Sequence, residues 1–140
     1  MSMWPRRHAR RALVQAIYQW QVAAHDAEEI RVQFIHSGTL RKADADFFDR
    51  CLHGIIAESD DLDAAFAPYL DRKVTELNQV ERAILRAGTF ELSACPDVPF
   101  KVVLHEYIGL ARTFGAQDSY KYVNGVLDRV ARDLRADEMQ

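Results

Sequence analysis

A chain of 140 residues, 49% hydrophobic and with a formal charge of −3, is long enough to bury a core without metal or disulfide staples and fits one domain spanning residues 1–140. No run approaches the roughly 18 apolar residues that a membrane-spanning helix needs, so a membrane location is not expected. Cys51 and Cys95 stand apart in apolar surroundings without C-x-x-C spacing, and read as core thiols of a reducing, cytoplasmic compartment, not as a bridge or a zinc site.

The chain opens with "RRHARRALVQAIYQW", which places Arg6, Arg7, Arg10 and Arg11 within six residues, and no acid appears before Asp26. The remainder of the chain therefore sums to −7, a local asymmetry that suggests an anionic partner for the first segment. Gln15, Gln19 and Gln21 interrupt what would have to be the apolar part of an export signal, while an Arg-rich transit peptide is countered by Tyr18 and Trp20 on a core-forming helix. Ala9, Leu13, Ala16, Ile17, Trp20 and Ala24 share one face of a helix expected from about Arg6 to Ala24. A second helix is expected around Glu28 to His36, stopped by Ser37 and Gly38. The stretch from Ala43 to Tyr69 reads as two helices broken near Ser59 and Asp60.

In "NQVERAILRAGTFEL", Asn78 suits an N-cap and Glu81 the reciprocal acid of a capping box. The helix it opens is apolar around much of its circumference, which predicts a central position. Val103, Tyr107, Leu110, Ala111 and Phe114 continue at helical spacing, with Pro99 suited to a first turn and Gly115 to a C′ stop. The last helix is expected from about Ser119 to Leu134, on a stripe of Val123, Val126, Leu127, Val130 and Leu134. The pattern as a whole is all-α: a compact, bundle-like domain with no sheet.

Enzyme chemistry has no footing in these residues. None of His8, His25, His36, His53 and His105 has a ligand partner at i+3 or i+4 on its own helix, "HEYIG" lacks the second histidine of a zinc-protease motif, and no phosphate-loop, dinucleotide or nucleophile-elbow motif is present. No cofactor, no metal and no catalytic residue is expected. The basic segment offers different chemistry. At 100° per residue Arg7, Arg11, Val14 and Tyr18 fall on a side of the first helix away from the Leu13/Ile17/Trp20 stripe, with Arg10 and Gln21 flanking and His8 on the opposite side from Arg7. Guanidinium groups fork onto phosphates and a tyrosine ring offers a base a stacking face. The bland alternative is a solvated helix start with Tyr18 at the edge of the core. Against it, the macrodipole disfavours cations at a helix N-terminus, so something else selects them there.

"RRHARRALVQAIYQW", "QVERAILRAGTFEL" and "VPFKVVLHEYIGLARTFGAQDSYKYVNGVLD" resemble successive segments of the NusB family of bacterial transcription antitermination factors, and the likeness runs essentially end to end. The resemblance implies an all-α fold of about seven helices and a protein that is not an enzyme. It implies binding to the boxA element of ribosomal RNA leader transcripts together with NusE, a small-subunit ribosomal protein, within the RNA polymerase antitermination complex. Carried over to this sequence, it implies RNA contacts by Arg6, Arg7, Arg10 and Tyr18, and by a second element comprising Asp118, Lys121 and Tyr122. Tyr122 stands where the family more often has Phe, and its hydroxyl needs a partner. Glu76, Glu81 and Arg82 match the region that faces NusE, although the capping role explains Glu81 equally well. His105 replaces a more familiar uncharged polar residue. Two other readings remain open: an RNA-binding subunit assisting ribosomal RNA modification, and a structural homo-oligomer.

Overall fold

The computed structural model describes residues 3–139, and all the regular structure among them is helical. Seven α-helices follow in chain order: α1 Trp4–Ala23, α2 Ala27–His36, α3 Ala45–Ala57, α4 Ser59–Phe66, α5 Gln79–Ala94, α6 Phe100–Phe114 and α7 Ser119–Leu134. Short 3₁₀ turns at Ala67–Tyr69, Val74–Glu76 and Ala136–Met139 complete the path.

Local chemistry accounts for most of the boundaries. Asp26, Asp44 and Asn78 each sit in extended backbone and accept the N–H of the third residue on, at 2.8, 3.0 and 2.8 Å, so α2, α3 and α5 all start on a side-chain cap. Gly38 takes the left-handed conformation, φ 78°, just beyond α2, where a side chain would be strained. Gly115 differs from the expected left-handed stop. Its φ is −84°, and it is required by close approach: a Cβ there would lie 2.6 Å from the Ala111 carbonyl oxygen and 2.9 Å from Ser119 Cβ. The left-handed residue of that connection is Asp118, φ 67°, which leads into α7 without a side-chain cap. Pro99 precedes α6 as its N-cap instead of sitting in its first turn.

Helix α5 packs against α1, α3, α4, α6 and α7, which is why it is apolar nearly all round. Ala83, Ile84, Leu85 and Ala87 are completely buried, and Gly88 lies where a Cβ would press on the Leu127 methyl groups at 3.0 and 3.1 Å. Leu13 and Ile17 of α1, Phe48 and Leu52 of α3, Tyr107 of α6 and Leu127 of α7 close the core around it. Cys51 and Cys95 lie in this interior as free thiols. The C-terminal end of α5 is tied down by buried Arg135, which donates to the carbonyl oxygens of Leu92, Cys95 and Val98 at 2.7, 2.8 and 2.9 Å, satisfying acceptors that a helix end leaves open. This packing leaves the first turns of α1 beside the middle of α6.

Candidate nucleic-acid interface

The four arginines of α1 have four different surroundings. Arg10, one residue from exposed Arg11, is only 3% exposed. Its guanidinium donates to Glu91 of α5 at 2.6, 2.9 and 3.2 Å and to Glu106 of α6 at 3.3 Å, while the Tyr107 hydroxyl donates to Glu91 at 2.9 Å. Burial alone would lower the Arg10 pKa; the hydrogen bonds and charge of Glu91 reverse this and hold it above the ordinary arginine value. Arg10 is therefore a bolt between α1, α5 and α6, and its place in the expected phosphate-binding set is corrected: its donors already serve buried carboxylates. Arg6 leans toward Asp44, 3.6 Å away, with its guanidinium over Phe47.

Arg7 is held by two parallel hydrogen bonds, Nε to Glu106 Oε1 at 3.2 Å and Nη2 to Oε2 at 2.9 Å, while its side chain stays 42% exposed. Its Nη1 makes no hydrogen bond among the described residues. Arg11 forms no ion pair among those residues and lies over the Phe114 ring, 5.2 Å from its centroid. Arg7, Arg11, Trp4, His8 and His105 line one cleft of about 320 Å³ between α1 and α6. His8 thus shares a cleft with Arg7, contrary to the expectation that it lies on the opposite side: adjacent helical residues diverge by about 100° and can both reach a neighbouring helix.

Phe114 carries the surface onward. Together with Val14, Gln15, Tyr18 and Val80 it forms an apolar hollow of about 230 Å³. Tyr18 is 41% exposed, so it is a surface ring, whereas Val14 is buried beneath it, against the expectation that both share the outer face. Past Val80 the surface meets Glu81, whose carboxylate accepts the Ser119 hydroxyl at 2.7 Å. Asn78 caps α5, but Glu81 does not return the bond; it pins the start of α7 and is only 7% exposed. Glu81 is thus neither the reciprocal acid of a capping box nor an exposed partner contact. Of the expected partner-facing set, Glu76 is exposed at the turn before α5, and Arg82 is drawn inward to Asp63 at 3.0 Å.

At the start of α7, Lys121 pairs with Asp118 at 3.5 Å, both well exposed. The Tyr122 hydroxyl donates to Asp71 at 3.0 Å, which supplies the partner it needs, and Arg72 covers one face of the ring at 4.8 Å while also pairing with Asp71 at 2.6 Å. The Arg72 and Tyr122 hydrogen bonds hold the Asp71 carboxyl below the usual carboxylate range. Arg11, Phe114, Trp4, Asp71 and Arg72 were not singled out from sequence as site residues. Only Arg11 had a signal there, its place beside Arg7 on the outer side of α1.

Fold and surface together define a helical binding protein whose arginine-rich and aromatic face is built on α1, α6 and α7, with no cluster of metal-ligating side chains among the described residues. The model of the NusB family matches residues 7–132. The chain is 52% identical over 130 residues to the transcription antitermination protein NusB of Alcanivorax borkumensis, covering 93% of this chain and 87% of that one, and 48% identical to that of Yersinia pestis, covering 93% and 94%. Among solved structures it superposes on T. maritima NusB with a TM-score of 0.81 at 30% identity, covering 92% of both chains. NusB from a complex of NusB and NusE with double-stranded RNA gives a TM-score of 0.83 at 20% identity, covering 91% and 96%, a likeness of fold. The chain belongs to the NusB family.

Proposed function

We propose that the protein is a cytoplasmic, non-catalytic antitermination factor whose whole chain acts as one RNA-binding unit, engaging boxA of ribosomal RNA leader transcripts together with NusE within the RNA polymerase antitermination complex. The observation that carries this reading is the run of cation and exposed aromatic along α1 and α6: Arg11, with no ion pair among the described residues, lies over Phe114, and Phe114 shares its hollow with exposed Tyr18. Unpaired arginine favours phosphates and an exposed ring favours an unstacked base, the combination that suits single-stranded nucleic acid. Relatives about 50% identical over most of their length carry the antitermination name, which supports the same role here.

Within this reading, Arg7, Arg11 and, more weakly, Arg6 contact phosphates, Tyr18 stacks, and Asp118, Lys121 and Tyr122 guide the strand over α7. Arg10 acts indirectly by fixing α1 on α5 and α6. Exposed Glu76 is the acid available to a basic NusE surface, while Glu81 serves the fold. Binding of boxA-like and scrambled single-stranded RNA, with and without NusE, tests the proposal. The expected result is tighter binding of the boxA-like strand, strengthened by NusE and weakened in that step by Glu76→Lys; equal, NusE-independent binding of both strands would contradict it.

A further inference from the structure

The cleft between the first turns of α1 and the middle of α6 has more built into it than phosphate attraction requires. Its lining includes Arg7 and Arg11 against Glu106, while the charge of Arg10 is met by buried Glu91, so three arginines against two glutamates leave a net charge of +1 before either histidine is counted. Glu106 is buried and clamped by Arg10, so it serves as a fixed floor that holds Arg7 through Nε and Nη2. One wall is the Trp4 ring, 61% exposed, with the His8 ring tilted beside it at 5.9 Å and the Arg7 guanidinium 5.4 Å from its centroid. The opposite wall is α6, with His105, Leu110 and Thr113.

Gly109 completes the case. It lies in the interior of α6, where glycine is less stable than alanine, yet a Cβ built there would meet nothing within 4 Å. Packing therefore does not demand glycine at this position. Its effect is to leave the cleft open at the level of His105 and Thr113.

A volume of about 320 Å³ lined by an aromatic ring together with two arginines and His105 matches a nucleobase joined to a phosphate better than a phosphate alone. We propose that the cleft is a subsite for one nucleoside phosphate, the base lying against Trp4 and the phosphate held by Arg7, Arg11 and His105. This deepens the RNA-binding reading and rests on it where the nucleoside phosphate is a unit of the strand. The same chemistry could come from a free nucleotide, and the test separates the two sources.

The experiment follows the indole N–H resonances of the full chain during titration with adenosine 5′-monophosphate, adenosine, inorganic phosphate and single-stranded RNA, for the natural sequence and for Gly109→Leu. A Cβ at this position meets nothing within 4 Å, so leucine is expected to extend into the cleft, and equal or higher thermal stability verifies that the variant is folded. A saturable shift of the Trp4 signal by adenosine 5′-monophosphate, at least tenfold stronger than with adenosine or phosphate and abolished in Gly109→Leu, supports a site that accepts the free nucleotide. A Trp4 shift with RNA only, together with a loss of RNA affinity in Gly109→Leu of roughly 5- to 150-fold, the factor that follows from losing one stacked base, supports a site read within the strand. An unmoved Trp4 signal with every probe and unchanged RNA binding by Gly109→Leu would overturn the subsite while leaving RNA binding through Tyr18 intact. Failure of the natural sequence to bind RNA at all would instead refute the functional reading, with the mononucleotide titration still deciding the cleft.

Discussion

The two ends of the proposed RNA face handle positive charge in opposite ways. On the α1/α6 side, Arg11 has an aromatic neighbour but no acid among the described residues, and Arg7 shares its glutamate with Arg10. On the α7 side the two cations nearest Tyr122 each have an acid, Arg72 with Asp71 and Lys121 with Asp118, while Arg129 lies over the Tyr69 ring. Excess cation attracts a polyanion over distance and releases counterions when it binds, whereas a paired cation has its field largely cancelled. The first region should therefore set affinity and salt dependence, and the second should act through ring stacking and shape.

The comparison depends on Arg10 being a structural arginine, and this gives the largest expected effect. Arg10→Ala leaves Glu91 buried without its partner and should cost about 3–5 kcal/mol of stability, a fall in melting temperature of roughly 10–15 °C. Arg11→Ala should leave the melting temperature nearly unchanged. Calorimetry of both variants checks the contrast, and equal melting temperatures would place Arg10 outside the core. Next in size, Tyr18→Ala should weaken single-stranded RNA binding by about 1–3 kcal/mol with little change in salt slope or stability, while Tyr18→Phe retains most of the affinity.

A pH effect belongs to a third, interior group. Burial works against the Asp63 carboxylate, but hydrogen bonds and charge from Arg86 and Arg82 outweigh it and hold its pKa below the usual range. A carboxylate with a depressed folded-state pKa adds stability above its unfolded value, near 4, and loses that contribution as pH falls through the lower folded value. Asp63→Asn should thus be less stable than the natural chain at neutral pH, and the gap should narrow in acid melts below about pH 4. The smallest effect sharpens the opening comparison. Asp71→Asn frees Arg72 beside Tyr122 and should raise RNA affinity by roughly two- to threefold while steepening its salt dependence, the scale of an exposed pair. No gain would mean that Arg72 does not face the strand.

Helix periodicity made α1 and α5 legible, because most of their apolar positions face continuous core. Asn78 was equally readable, since a cap acts on a backbone group three residues away. Arg10 was not. In sequence it belongs to a basic run, and only the fold brings Glu91 and Glu106, more than eighty residues distant, onto its guanidinium. Glu81 misled for a similar reason: the local capping pattern was present, but Ser119 arrives from α7 and takes the carboxylate. Arg135 and the cleft at Gly109 also arise from contacts between segments remote in the chain, which periodicity cannot express.

The salt dependence of RNA binding by the Arg7→Ala, Arg11→Ala double variant tests the central claim most directly. If these two side chains neutralise phosphates, the log–log slope for a boxA-like single strand should flatten by about 1.4 relative to the natural sequence, about 0.7 for each lost contact, and affinity for boxA-like and scrambled strands should fall alike. An unchanged slope in a variant that melts normally would contradict the account and remove the α1/α6 edge from the RNA-binding face.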